Sequence, residues 1–119
     1  MIKFVGNPKL LDCCATCTDL EPVINYCKDK KVLAIDTETT GLSHIENDMI
    51  MLQIGDNNVQ FVIDTRYINI SPLKSILEDS SIVKVLHNVK FDYKFLLQSN
   101  IRLNNVWDTM LTSQVIHCG

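Results

Sequence analysis

Three short apolar segments, at residues 32–36, 49–54 and 59–63, constrain most strongly what this chain can fold into. Each has the length and apolar content of a β-strand. The sequence GDNN at 55–58, between the second and third segments, is typical of a hairpin turn. The sequence therefore predicts three antiparallel strands that follow one another along the chain.

Helical and strand-like segments alternate in the second half of the chain. Ser71 and Pro72 predict a helix start, with the serine as cap and the proline in the first turn. A strand is predicted over 82–86, a helix over 87–100, and a short strand around Val106 with a last helix after it.

The first 31 residues are predicted to contribute a strand and a helix. The mixed segment at 2–11 suggests an edge strand, and the residues at 18–21 form a capping-box pattern at the start of a helix that ends near three lysines. Antiparallel strands followed by strand–helix units predict an α/β fold in which helices flank a mixed sheet.

Composition narrows the possible classes of protein. The chain has 119 residues, of which 46% are hydrophobic and 21% charged, so a packed single domain is expected and disorder is not. The net charge of −3 argues against binding nucleic acid by bulk attraction, although metal ions can screen an acidic site. We find no apolar run of roughly 18 residues and no secretory signal, which predicts a cytoplasmic protein that is neither secreted nor bound to a membrane.

Five cysteines, an odd number, are expected to be reduced thiols: Cys13, Cys14, Cys17, Cys27 and Cys118. Cys14 and Cys17 have CxxC spacing, which raises the possibility of a zinc site. No second CxxC or histidine pair completes four ligands. Small buried apolar side chains are the better interpretation.

Two carboxylates follow the first of the three apolar strands, in VLAIDTETTG at 32–41. Because side chains alternate along a strand, Asp36 and Glu38 point to one side and Thr37 to the other. Two close carboxylates repel unless a cation lies between them, and Mg²⁺ or Mn²⁺ suits such hard oxygen ligands. The alternative is that Asp36 caps a turn and Glu38 lies in a solvated loop.

A second polar motif, HNVKFD at 87–92, also follows an apolar strand. It places Asn88 at the start of a helix and Asp92 one turn later on the same face. The ordinary interpretation is that Asn88 caps the helix and that Asp92 is favoured by the helix dipole. Two such motifs, each just past the end of a strand, indicate a shared acidic site instead.

Together, IDTETTGL and HNVKFDYKFL resemble the first two motifs of the DEDD superfamily of 3′–5′ exonucleases. The segment VWDTMLTSQVI is similar to the region after the second motif in DNA polymerase I-type proofreading domains and RNase D relatives. The resemblance implies an RNase H-like mixed sheet of about five strands with flanking helices. It also implies that Asp36, Glu38 and Asp92 are catalytic residues that bind two Mg²⁺ or Mn²⁺ ions.

The same resemblance implies that Thr39, Gly41, Leu42, Asn88 and Phe91 bind the substrate. Leu42 matches a position that wedges against the terminal base, and Thr39 and Gly41 match the lining of the terminal nucleotide's pocket. The alternatives are that Leu42 and Phe91 are core residues and that Asn88 is only a cap.

Asp108 is interpreted as a helix cap, because the matching aspartate in similar sequences opens a helix and binds no metal. The family's third motif, an aspartate with a tyrosine or histidine before it, does not follow. His44 is expected to be solvated in a polar loop. Residues 1–119 are therefore predicted to be the N-terminal portion of a single 3′–5′ exonuclease domain, which alone is expected to lack part of its site.

The predicted function is metal-dependent hydrolysis of nucleic acid from a single-stranded 3′ end to nucleoside monophosphates. The implied role is proofreading of DNA beside a family A-type polymerase domain. One alternative is an RNase D-like exoribonuclease, and another is a nucleic-acid-binding or structural fragment without catalysis.

Overall fold

A computed structural model describes residues 1–7, 9 and 16–118. The strands are β1 (Ile2–Val5), β2 (Thr16–Cys17), β3 (Val32–Thr39), β4 (Met49–Gly55), β5 (Gln60–Asp64), β6 (Val83–Leu86) and β7 (Val106–Asp108). The helices are α1 (Glu21–Cys27), α2 (Lys74–Leu77, after a 3₁₀ turn over Ser71–Leu73), α3 (Val89–Gln98) and α4 (Thr109–Cys118).

All of these strands form one mixed sheet, in the order β2-β1-β5-β4-β3-β6-β7. The prediction that three consecutive strands pair antiparallel is confirmed, because β4 pairs antiparallel with both β3 and β5. On the other side of β3, β6 and β7 add in parallel. The five predicted strands are β3–β7, and β1 extends the sheet by pairing in parallel with β5. The N-terminal strand is not at the edge as predicted, since β2 pairs outside it.

One face of the sheet holds the hydrophobic core. Leu33 and Ile35 of β3 are buried there with Val23 of α1 and Leu96 of α3, whereas Val32 on the other face is 52% exposed. The inward row of β3 continues to Thr37, which is also buried. The packed helices therefore bring the start of α3 against the end of β3 that carries the acidic motif.

Two helix starts differ from the sequence prediction. The residues at the N-cap positions of α1 and of the 3₁₀ turn are Leu20 and Ile70, and neither makes a side-chain capping bond. The predicted capping box is wrong, because Asp19 instead accepts the backbone N–H of Glu21. Ser71 is likewise inside its turn, and its N–H donates to Asn69. In both places the residue just before the N-cap position, Asp19 or Asn69, forms an Asx turn in place of the expected cap.

The β4–β5 hairpin is closed by Asp56. Its carboxylate accepts the backbone N–H groups of Asn58 and Val59 at 2.9 and 3.0 Å and the Tyr26 hydroxyl at 2.8 Å, and lies 3.3 Å from the Lys30 ammonium. The hydrogen bond from Val59, followed by those from Tyr26 and Asn58, holds the pKa of Asp56 well below its usual range. The predicted turn at 55–58 is thus confirmed, and it is joined to α1.

We expect Asp56→Asn to lower the melting temperature at neutral pH and to have progressively less effect in acid. A carboxyl whose pKa is depressed by folding stabilises the fold above its unfolded pKa, near 4, and loses that contribution as the pH falls below it. Thermal unfolding of both proteins from pH 7 to pH 2 measures this. If the difference in melting temperature between the two proteins stays constant from pH 7 to pH 2, this role of the Asp56 carboxylate is contradicted.

No helix in the described part of the chain is long and apolar enough to cross a membrane. Of the cysteines, Cys27 is buried and Cys17 half-buried, and both are free thiols. Cys13 and Cys14 lie outside the described residues, as does the side chain of Cys118.

Candidate active site

The acidic end of β3 has the alternation that its sequence predicts. Asp36 and Glu38 are exposed while Thr37 between them is buried, so the two carboxylates share a face. β6 pairs with β3 only as far as Ala34, and the chain leaves β6 after Leu86. The rest of β3 therefore extends past its parallel neighbour, at the level where the chain turns into α3.

Asp92, in the first turn of α3, is buried and 2% exposed. Its Oδ1 accepts a hydrogen bond from the Thr37 hydroxyl, while the Thr37 N–H donates to Asp36 Oδ1 at 2.9 Å. Burial raises the pKa of Asp92 to about 6; the nearby negative charge of Asp36 adds to this rise, and the Thr37 hydroxyl opposes it. The predicted pair from two separate motifs thus meets at Thr37.

Among residues 1–7, 9 and 16–118, no three histidine, cysteine, aspartate or glutamate side chains are grouped closely enough to hold a metal ion. The structure therefore brings together Asp36 and Asp92 but does not assemble three carboxylates. Metal binding by Asp36, Glu38 and Asp92 stays a prediction.

Asn88 precedes α3 in a left-handed conformation, with φ of 62° and ψ of 65°, and its side chain makes no capping hydrogen bond. The alternative interpretation, that Asn88 is only a side-chain cap, is wrong because Asp108 takes that role. Oδ1 and Oδ2 of Asp108 accept the N–H groups of Asn88 and Val89, each at 3.0 Å.

The role predicted for Asp108 as a helix cap is confirmed. Its Oδ1 also accepts the N–H of Met110, in the first turn of α4, at 2.9 Å. Burial would raise the pKa of Asp108, but the N–H donors of Val89, Asn88 and Met110 outweigh that effect, and the pKa is lowered. The Asp108 carboxylate therefore accepts hydrogen bonds from backbone N–H groups at the starts of both α3 and α4.

Leu42, Asn88 and Phe91, three of the predicted substrate-binding residues, line one groove of about 210 Å³. Leu42 is 87% exposed and Phe91 half-buried, so the core interpretation is wrong for Leu42. Thr39 and Gly41 form the turn that leads to Leu42, with the Thr39 hydroxyl donating to the Gly41 carbonyl at 2.7 Å. A side chain at Gly41 would meet the amide at the end of the Asn47 side chain, which would have to move aside.

Aromatic and basic side chains complete the groove. The rings of Phe91 and Phe95 lie 5.2 Å apart, and His44 packs edge-on against Phe95 at 6.5 Å. Lys90 and Lys94, one turn apart on α3, are exposed at its rim. Phe95 is buried, so Phe91 and His44, both half-buried, are the rings exposed beside these cations, and exposed rings beside cations are what single-stranded nucleic acid binds.

A model of the 3′–5′ exonuclease family matches residues 12–119. The chain belongs to this family. DNA polymerase I of Aquifex aeolicus (strain VF5) is 35% identical over 98 residues, which cover 82% of this chain and 16% of that relative. The chain therefore spans about one sixth of the length of this curated relative.

Similar solved structures support the same family assignment. NrnC of Brucella melitensis superposes with a TM-score of 0.75 at 26% identity, covering 99% of this chain and 53% of NrnC. Escherichia coli RNase D gives a TM-score of 0.71 at 27% identity, covering 79% and 26% of the two chains. The RNase H-like fold and the resemblance to DEDD exonucleases of the polymerase I and RNase D types are confirmed.

Two features of this exonuclease site were missed by sequence reasoning. The sequence predicts only which side of the strand Thr37 faces, and not that its hydroxyl links the two motifs. The signal was present, because Thr37 is the polar residue on a strand face otherwise occupied by Leu33 and Ile35. His44 was expected to be solvated, but it is half-buried against Phe95. Its surroundings come from α3, which is distant in sequence.

Proposed function

We propose that this chain is a 3′–5′ exonuclease domain that hydrolyses nucleic acid from its 3′ end, with divalent metal ions, to nucleoside monophosphates. Membership in the family supports the class of reaction. The observation that carries the site is the approach of Asp36 and Asp92, from separate elements, to the same threonine.

The residues present fit divalent ions chemically. Carboxylate oxygens are the ligands that Mg²⁺ and Mn²⁺ prefer. Asp92 is buried next to the charge of Asp36, and neither ion pair found in the described part of the chain involves either of them. A cation between them would remove this repulsion. Glu38, exposed two residues from Asp36, would join them by a rotation of its side chain.

In this proposal the ions, when bound, supply a hydroxide nucleophile and neutralise charge that builds up on the phosphate. Asp36, Glu38 and Asp92 would hold these ions: Asp36 would serve both, Glu38 would also orient the attacking water, and Asp92 would serve the side of the departing 3′ oxygen. Thr37 limits the rotation of Asp92 by donating its hydroxyl hydrogen.

The groove that starts at Leu42 is proposed to hold the 3′-terminal nucleotide. Leu42 and Phe91 offer apolar surface to the base, while Thr39, Gly41 and Asn88 contribute polar and backbone groups near it. The exposed ammonium groups of Lys90 and Lys94 lie at the rim, where phosphates of the strand would pass.

DNA is the substrate that we favour, in a proofreading role beside a polymerase domain, because the curated relatives are DNA polymerase I proteins. RNA is the second candidate. NrnC has been solved with Mg²⁺ and with pGG, and E. coli RNase D is described as an exoribonuclease. A binding module without catalysis is the third candidate, favoured by the fact that the described residues contain no group of three potential metal ligands.

The deciding experiment incubates the purified full-length protein that contains residues 1–119 with 5′-labelled single-stranded DNA and with RNA of the same sequence carrying a different label. We expect stepwise shortening from the 3′ end and release of mononucleotides in Mg²⁺ or Mn²⁺, both abolished by EDTA. Faster loss of the RNA would favour the RNase D-like alternative. Binding of 3′ ends without cleavage in either metal would favour the binding module and overturn the exonuclease proposal.

A further inference from the structure

Asp108 connects two helix starts through a single carboxylate. It ends β7 and lies in register with Leu86, the last residue of β6. Its oxygens accept N–H groups from Asn88 and Val89 at the start of α3 and from Met110 in α4. Asp108 thus joins the segment after β6, which holds the second motif, to the end of β7. The contact lies at the edge where both chains leave the sheet.

The turn held by Asp108 contains a residue in the left-handed conformation, which asparagine adopts more readily than most other residues. Asn88 has a φ of 62°, and the helical residue Val89 follows it. A left-handed residue followed by a right-handed one directs successive N–H groups into one concavity, which binds an anionic oxygen group. Here the carboxylate of Asp108 occupies that concavity, because it accepts the N–H groups of both Asn88 and Val89.

Thr109 adds a second connection at the same place. Its hydroxyl lies 2.9 Å from His87 Nδ1 and 3.3 Å from the Leu86 carbonyl oxygen. Asp92 lies four residues after Asn88. The turn that opens α3 is closed by a hydrogen bond of 3.1 Å from the Phe91 N–H to the Asn88 carbonyl. The direction of α3, and hence the depth of Asp92 beside Thr37, depends on how this turn is held.

We propose that Asp108 is a positioning residue of the nuclease site: it binds no metal, but fixes the turn at 87–89 and thereby places Asp92 against Thr37. This inference rests on the proposed function, because it concerns how well Asp92 is placed to hold a divalent ion. A partner that orients a metal ligand typically contributes about 10- to 100-fold to metal affinity or activity.

The test compares Asp108→Asn with Asp79→Asn. Asp79 makes a similar local turn, accepting the Ser81 N–H at 2.8 Å, but at the start of β6 rather than at its end. For Asp108→Asn we expect loss of amide-exchange protection at residues 88 and 89 without metal. We also expect about 10-fold weaker Mn²⁺ binding by calorimetry and a kcat reduced about 10- to 100-fold with little change in KM. Asp79→Asn should leave all of these unchanged.

Thr109→Val is the milder second variant, in case Asp108→Asn folds poorly, and it should shift Mn²⁺ affinity in the same direction by a smaller factor. Normal Mn²⁺ affinity and kcat in folded Asp108→Asn, with the unchanged protein active, would overturn the positioning role alone. An unchanged protein that neither binds Mn²⁺ nor cleaves would overturn the proposed function, and the positioning role with it.

Discussion

Asp36→Ala is expected to reduce metal-dependent hydrolysis by about 1,000-fold or more, equivalent to a loss of about 4 kcal/mol of transition-state stabilisation. Asp36 is exposed at the end of β3, so its removal leaves no cavity and should barely change the free energy of unfolding. The loss would come from the proposed site, since Asp36 is the carboxylate assigned to both ions. Initial rates of mononucleotide release at saturating Mn²⁺ measure it.

The matched control is Asp29→Ala, which removes an exposed carboxylate just after α1. The net charge changes equally in both variants, so any general effect of charge on binding an anionic strand appears in both. We expect near-normal rates for Asp29→Ala. If Asp36→Ala degrades single strands as fast as the unchanged protein, the assignment of the site is wrong.

Much of the fold could be predicted from sequence because the signals are local. The three antiparallel strands follow from apolar segments and the turn at 55–58, where Gly55 approaches the Val59 carbonyl too closely for a side chain. The shared face of Asp36 and Glu38 follows from the period of a strand alone. These features depend on neighbours in sequence, which a single chain displays directly.

The connections between motifs could not be predicted in the same way. Asparagine is a common helix cap, so the sequence favours that role for Asn88. Only the structure shows that Asp108, at the end of β7, supplies the acceptor instead. The Thr37–Asp92 contact joins residues 55 positions apart. Which donor meets which acceptor depends on tertiary packing, and helix propensity or capping statistics carry no information about it.

Lys84 is the clearest case of a residue whose role sequence conceals. It lies in β6, where a lysine would be expected to face water, yet it is fully buried. Its ammonium donates to the carbonyl oxygens of Asp79, Ile82 and Asn104, the last two at 2.7 and 2.8 Å. Burial lowers the pKa of Lys84, although the nearby Asp79 charge opposes this shift. Its three ammonium hydrogens thus match three acceptors.

Lys84→Met is therefore expected to lower the free energy of unfolding by about 3 kcal/mol, although methionine nearly preserves the volume. Replacing a whole buried ion network by apolar residues can be neutral, but here the partners are backbone carbonyls that no substitution removes. The Ile82 carbonyl would remain buried without the ammonium, and the partly buried carbonyls of Asp79 and Asn104 would lose it as a donor as well. Urea unfolding followed by Trp107 fluorescence measures the change, with Lys28→Met, an exposed lysine after α1, as control.

The same variant distinguishes a lysine that stabilises from one that is merely tolerated. Because β6 leads directly into the turn at 87–89, loss of the three bonds should also loosen the strand that carries the second motif. We expect amide exchange to accelerate in β6 and β7, while the β4–β5 hairpin keeps its protection. A Lys84→Met protein as stable as Lys28→Met would mean that water or rearranged backbone satisfies those carbonyls, and that the ammonium is not what joins the start of β6 to the loop before β7.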